Sequence, residues 1–82
     1  MTENEVLQKI KVIVAQKLET DPETLTDSSA AHNTPNWDSM AHMEIIAAIE
    51  SEFKMQFSFE DMLKISNMGN IVAVVSSKVV EH

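Results

Sequence analysis

An all-α fold, a four-helix bundle with three longer helices and one short one, is predicted by three features of the 82-residue sequence. Turn residues are scarce: one Gly and two Pro are too few for the connections of an all-β chain. Apolar residues make up 44% of the chain, enough for a small core and too many for a disordered segment. They also recur at helical spacing in separate stretches, most of them opened by a capping residue. There is no Cys, so neither a disulfide framework nor a Cys metal site is available, and a helical bundle is the easiest unstapled fold at this length. Residues 1–82 are expected to form a single domain.

The first helix opens at Thr2, which has capping-box spacing to Glu5. Val6, Leu7, Ile10, Ile13, Val14 and Leu18 form its apolar face, with Lys9, Lys11 and Lys17 off it. Asp21-Pro22 is expected to stop it, because proline disfavours the helical conformation in the residue before it. A long connection follows from Thr20 to Trp37, longer than most loops in a compact domain. Leu25 is its anchor, and a short turn of helix is predicted near Ser28 to His32. Pro35 sets up the turn into Asp38-Ser39.

The second helix is predicted from about Ser39 to Phe53. Asp38 or Ser39 can cap it; Met40, Met43, Ile46, Ile49 and Phe53 recur as its apolar stripe, and Glu44, Glu50 and Glu52 supply its polar side. Met55-Gln56-Phe57 connects to a short third helix announced by Ser58 and Asp61, with Phe59, Met62, Leu63 and Ile65 as its apolar contacts. Asn67 caps the last helix, whose inward residues are Met68, Ile71, Val72, Val75 and Val79. The Val pairs at 74–75 and 79–80 also favour strand, but a lone strand would have no partner. The end of the chain, Lys78 to His82, is expected to fray.

Charge narrows the function. The chain carries 13 acids against six lysines and no arginine, a formal net charge of −7. Such a surface repels nucleic-acid phosphates and suits partners with basic patches. No basic-then-apolar leader opens the chain and no apolar run approaches a membrane span, so a cytoplasmic protein, expected to be a monomer, is the default. From Asp38 to Asp61 there are six acids and one Lys, more than solubility needs.

Asp38-Ser39-Met40, followed by an amphipathic helix closing on Ile49-Glu50-Ser51-Glu52-Phe53, resembles the attachment-site helix of acyl carrier proteins. The motif alone is short; its position near mid-chain, the helix behind it and the long first loop make the likeness specific. It covers the whole chain, best from Trp37 to Val75. The resemblance implies that Ser39 carries 4′-phosphopantetheine, whose thiol holds an acyl group as a thioester and presents it to other enzymes. It implies that Asp38 helps the phosphopantetheinyl transferase and its Mg²⁺ to dock. It further implies that Met40, Glu44 and Glu50 face partner enzymes: the transferase, and acyl-transferring or acyl-activating enzymes with basic docking patches. The carrier would catalyse nothing itself. An aminoacyl carrier of D-alanyl or peptidyl type would use the same arm, and an unmodified helical interaction module could keep the same fold.

The sequence also departs from the family. Ala41 and Ser51 stand where fatty-acid carriers often have acids, which argues against docking to fatty-acid synthase enzymes but not against the carrier role; fatty acid biosynthesis and polyketide or specialised lipid biosynthesis both stay open as its pathway. Trp37 replaces a small residue, Asn36 stands where Gly is frequent, and Phe57 takes the place of an aliphatic anchor. Trp-Asp-Ser resembles a subset of stand-alone carriers from specialised pathways.

Each candidate residue also has a plainer role. Ser39 and Asp38 are good helix caps, and the glutamates make an ordinary solvated face. A Ser39–His42–Asp38 triad is not expected in one helix start without an oxyanion site, and His42 reads as a surface residue. With only His32 and His82 besides, zinc is not expected, and the acids lack the Gly and spacing of a calcium loop. Met43, Met62 and Met68 are candidates for lining an acyl chain, with core filling the preferred role for each.

Overall fold

The computed structural model describes residues 2–79; Val80 and His82, which enter the sequence reading, lie outside the described residues. Four helices follow in order: α1 (Glu3–Leu18), α2 (Ser39–Phe53), α3 (Phe59–Lys64) and α4 (Met68–Val79). There is no strand among the described residues, and Val74 and Val75 lie within α4. Both faces of α1 that the core needs come from one stripe: Val6, Ile10, Val14, Ala15 and Leu18 are buried, and α1 packs against α2 and α4. From α2 come Ala41, Ile45, Ile49 and Phe53, and from α4 come Met68, Ile71 and Val75. Leu7, Ile13, Phe57, Ile65, Val72 and Val79 pack around this centre.

The caps are those the sequence announces. Thr2 and Glu5 make a reciprocal capping box at α1, as do Ser58 and Asp61 at α3. Asn67 Oδ1 accepts the Asn70 amide at 2.8 Å at the start of α4. The end of α1 differs from expectation. It stops at Leu18, before proline can act, because Glu19 turns into the left-handed region (φ 55°) and its amide bonds back to Ala15 and Gln16. Asp21-Pro22 instead opens a 3-10 turn, Pro22–Thr24, with Asp21 accepting the Glu23 amide.

No helical turn forms near Ser28 to His32, and the hydrogen bonds explain why. The carbonyls of Asp27 and Ser29 are taken by the Gly69 and Met68 amides, each at 2.8 Å. The Ala30 amide goes to the side chains of Asn33 and Thr34. The loop thereby satisfies the free amides at the start of α4, and those carbonyls are lost to any local helix. Glycine suits position 69: a Cβ there would lie 3.0 Å from the Asp27 carbonyl oxygen, and the loop backbone would have to give by a few tenths of an ångström. Leu25 anchors the loop in the core as expected, 4% exposed.

Two apolar stripes are corrected. On α2 the buried set runs through Ala41, Ile45, Ile46, Ile49 and Phe53, while Met40 (75% exposed) and Met43 (59%) turn outward. On α3, Phe59 (78%) and Leu63 (71%) are exposed, and only Met62 and the following Ile65 are partly covered. A six-residue helix presents too short a face to bury all four.

Candidate functional site

The site is the junction between the first loop and α2, and the backbone builds it residue by residue. Asn36 takes φ 70°, a left-handed conformation that Asn tolerates better than most residues. Its side-chain amide donates to the Leu18 carbonyl at 3.1 Å, tying the loop to the end of α1. This is why Asn can stand at a position where Gly would otherwise serve. Trp37 then turns inward, 5% exposed, as part of the core. Asp38 is extended (φ −97°, ψ −175°), and its Oδ1 accepts the Ala41 amide at 2.8 Å, so Asp38 is the N-cap. Ser39 is the first residue of α2 and is exposed.

The structure adds a pair that sequence reasoning missed. His42 is not a plain surface residue: it is half-buried, and its Nδ1 accepts the Trp37 indole N–H at 3.2 Å. The two ring planes are inclined by 27° with centroids 6.3 Å apart. Burial holds His42 below its ordinary value, which favours the neutral ring. The available signal was a buried-type aromatic five residues before a His across a helix start. The pairing also disposes of the triad, since the nitrogen a carboxylate would orient is occupied by Trp37 and the Asp38 carboxylate caps the helix.

Beside Ser39 lies an open groove of about 590 Å³, whose walls include Trp37, His42 and Met43 on one side and Ile65 and Asn67 on the other. Met43 is thus a groove residue rather than core filler; Met68, fully buried, is core, and Met62 is partly covered. Met40 and Glu44 are exposed on the same helix. Glu50 is half-buried, and its Oε2 accepts the Phe57 amide at 2.9 Å, so it also clasps the connection to α3. Glu52 pairs with Lys9 of α1 at 3.2 Å. Among the described residues no three His, Asp or Glu side chains converge as a metal site would require, and His82 lies outside them.

An exposed hydroxyl at the first position of a 15-residue helix, flanked by a groove, has the chemistry to hold a phosphodiester-linked arm. The free amides and the dipole of a helix N-terminus favour an anion there. Comparisons with known proteins point the same way. The family described as "Phosphopantetheine attachment site" matches residues 8–75. The chain is 32% identical to an acyl carrier protein of Thermosynechococcus vestitus, over 96% of this chain and 98% of that one. It is 33% identical to an acyl carrier protein of Cyanidium caldarium, over 96% and 92%. In structure it is similar to the holo acyl carrier protein of Geobacter metallireducens, with a TM-score of 0.81, 27% identity and 94% of each chain covered. The acyl carrier protein of Enterococcus faecalis superposes with a TM-score of 0.74 at 34% identity, over 94% of this chain and 98% of that one.

Proposed function

The chain belongs to the acyl carrier protein family, and we propose that Ser39 is the residue through which it carries its covalent 4′-phosphopantetheine. The protein is a carrier and not an enzyme. The arm, when attached, supplies the thiol that holds acyl groups as thioesters. Everything else is the work of this chain. Ser39 Oγ provides the ester oxygen at an exposed position, and Asp38 fixes the start of α2 so that this oxygen is presented at one place. Only Oδ1 of Asp38 is used in the cap, which supports a second role for its carboxylate in docking the transferase and its Mg²⁺.

The observation that carries the reading is the exposure of Ser39 directly after the Asp38 cap, inside the segment that matches the attachment-site family. Partners of the family include phosphopantetheinyl transferase and acyl-handling enzymes. For this chain we assign their contacts to Met40, Glu44 and Glu50 on α2, whose charge suits basic docking patches. Residues 1–82 act as one domain, supported by the single core that α1, α2 and α4 share. A monomer is proposed, since a net charge of −7 opposes self-association. No helix among the described residues is long and apolar enough to cross a membrane. Cytoplasmic placement is proposed from the enzymes it is expected to serve.

The test is intact-mass spectrometry after incubation with coenzyme A and a broad-specificity phosphopantetheinyl transferase. One added phosphopantetheine in the wild type, absent from Ser39→Ala, supports the assignment. A folded wild type that gains no mass refutes it and leaves an unmodified interaction module.

A further inference from the structure

The Trp37–His42 pair sits in the wall of the groove beside Ser39, and no step of the carrier role described above uses it. An indole N–H can only donate, so His42 Nδ1 must be the acceptor. In the neutral ring the proton is then on Nε2, and that nitrogen is a free donor. Ser39 and His42 are three residues apart on α2, which makes them neighbours on one helix face. Helical side chains lean towards the N-terminus, which carries the His42 ring back over the turn that Ser39 begins. Both residues line the same groove.

The other groove groups are poorly placed to do this work. Asp38 is the only charged side chain in the lining; it is an acceptor and repels an anion. Lys64, next in sequence to Ile65, is exposed and outside the lining. The Ser66 hydroxyl donates to Asn70 Oδ1 at 2.7 Å. The Ala41 amide is taken by Asp38. Besides the free backbone amides at the start of α2, the side-chain donors that remain are the His42 Nε2–H and, across the groove, the Asn67 side-chain amide.

We infer that His42 is a positioning residue for the prosthetic arm: its Nε2–H donates to the phosphodiester carried on Ser39, and Trp37 sets the tautomer that makes this donor available. The inference rests on the Ser39 assignment and deepens it. An anion held beside the ring favours the protonated form, so attachment opposes the effect of burial on His42. The arm would thereby be drawn along the Trp37 side of the groove rather than left free in solvent.

The experiment uses isotopically labelled full-length protein before and after loading with coenzyme A and transferase, with loading read by intact mass. Imidazole resonances and the phosphorus resonance of the arm are followed between about pH 5 and about pH 8, the window in which histidine changes charge. The His42 midpoint is expected to rise by about one pH unit on loading. The phosphorus resonance should titrate with the same midpoint. His42→Leu should flatten that titration, and His42→Gln, which keeps an N–H donor, should flatten it while retaining the phosphorus shift. Trp37→Phe removes the indole N–H that protonation of Nδ1 must displace, so it should raise the His42 midpoint in unloaded and loaded protein alike. A residue that only buttresses Trp37 would move none of the phosphorus signals. Loaded protein with an unmoved His42 and a flat phosphorus titration overturns this inference alone, and the wild-type comparison decides it even if a variant fails to fold. A folded protein with no added mass removes the Ser39 assignment and this inference together.

Discussion

Reversing Glu44 and Glu50 separately, to Lys, should have different effects, because only one of the two carboxylates has a structural partner. Glu44 is exposed, so Glu44→Lys should leave the melt within about 0.5 kcal/mol of wild type. Its effect should fall on association with the transferase. Two unit charges about 8 Å apart in water interact by ~0.5 kcal/mol, so a reversal facing one cation changes the energy by ~1 kcal/mol. With Debye lengths of ~30 Å at ~0.01 M salt and ~8 Å at ~0.15 M, the association rate should drop roughly four-fold at the lower salt and roughly two-fold at the higher. Glu50→Lys carries the same charge change but also abandons the Phe57 amide, which Glu50 accepts at 2.9 Å. Leaving that half-buried amide unpaired costs about 1–3 kcal/mol, and the loss is not screened by salt. Glu50→Gln keeps an acceptor and should melt close to wild type. Stopped-flow loading at the two salt concentrations, with thermal melts of each variant, separates the terms. A Glu44→Lys rate equal to wild type at low salt refutes α2 as a recognition face. A Glu50→Lys melt equal to wild type refutes the clasp on Phe57.

Two further outcomes follow from burial and charge elsewhere. Ile49→Ala removes three buried carbons from a fully buried site and should cost about 2–5 kcal/mol, whereas Met43→Ala, at a residue 59% exposed, should cost under about 1 kcal/mol; equal losses in denaturant melts would overturn the assigned faces of α2. Asp61 is held down to about 2 by the Ser58 amide and by Lys78, whose Nζ lies 3.0 Å away. Because its folded pKa is depressed, its stabilisation is complete above the ordinary carboxylate value of 3.8 and is lost as pH falls from there to about 2. Thermal melts should therefore show wild type and Asp61→Asn converging as pH drops through that window. A constant gap would show that Asp61 does not titrate as the geometry requires.

The caps and most helix bodies were legible because they are local. Thr2 with Glu5, and Ser58 with Asp61, close within one turn, so spacing alone finds them. The end of α1 was not, since a left-handed Glu19 carries none of the usual Gly or Asn signal and Pro22 offered a nearer explanation. The missing helical turn in the first loop depended on a partner some 40 residues away. Carbonyls of Asp27 and Ser29 are committed to amides of Gly69 and Met68, and no local pattern reports such a claim.

The site shows the same division on a smaller scale. Two stripes were available on α2, one through Met40, Met43 and Ile46 and one through Ala41 and Ile45, and they converge on Ile49 and Phe53. Hydropathy prefers the first, because methionine outweighs alanine. The fold buries Ala41 and Ile45 in the same core as Trp37, buries Ile46 as well, and leaves Met40 and Met43 out. Met40 and Met43 are left at the surface, and Met43 lines the groove beside Ser39. The same bulky residue that closes the core also reaches His42 through its indole N–H. Trp37 therefore joins two things that spacing treats separately: the core beneath the first turn of α2 and the hydrogen bond to the histidine one turn beyond Ser39. A Trp37→Ala variant would disturb both at once, and Trp37→Phe isolates the hydrogen bond by keeping most of the apolar volume.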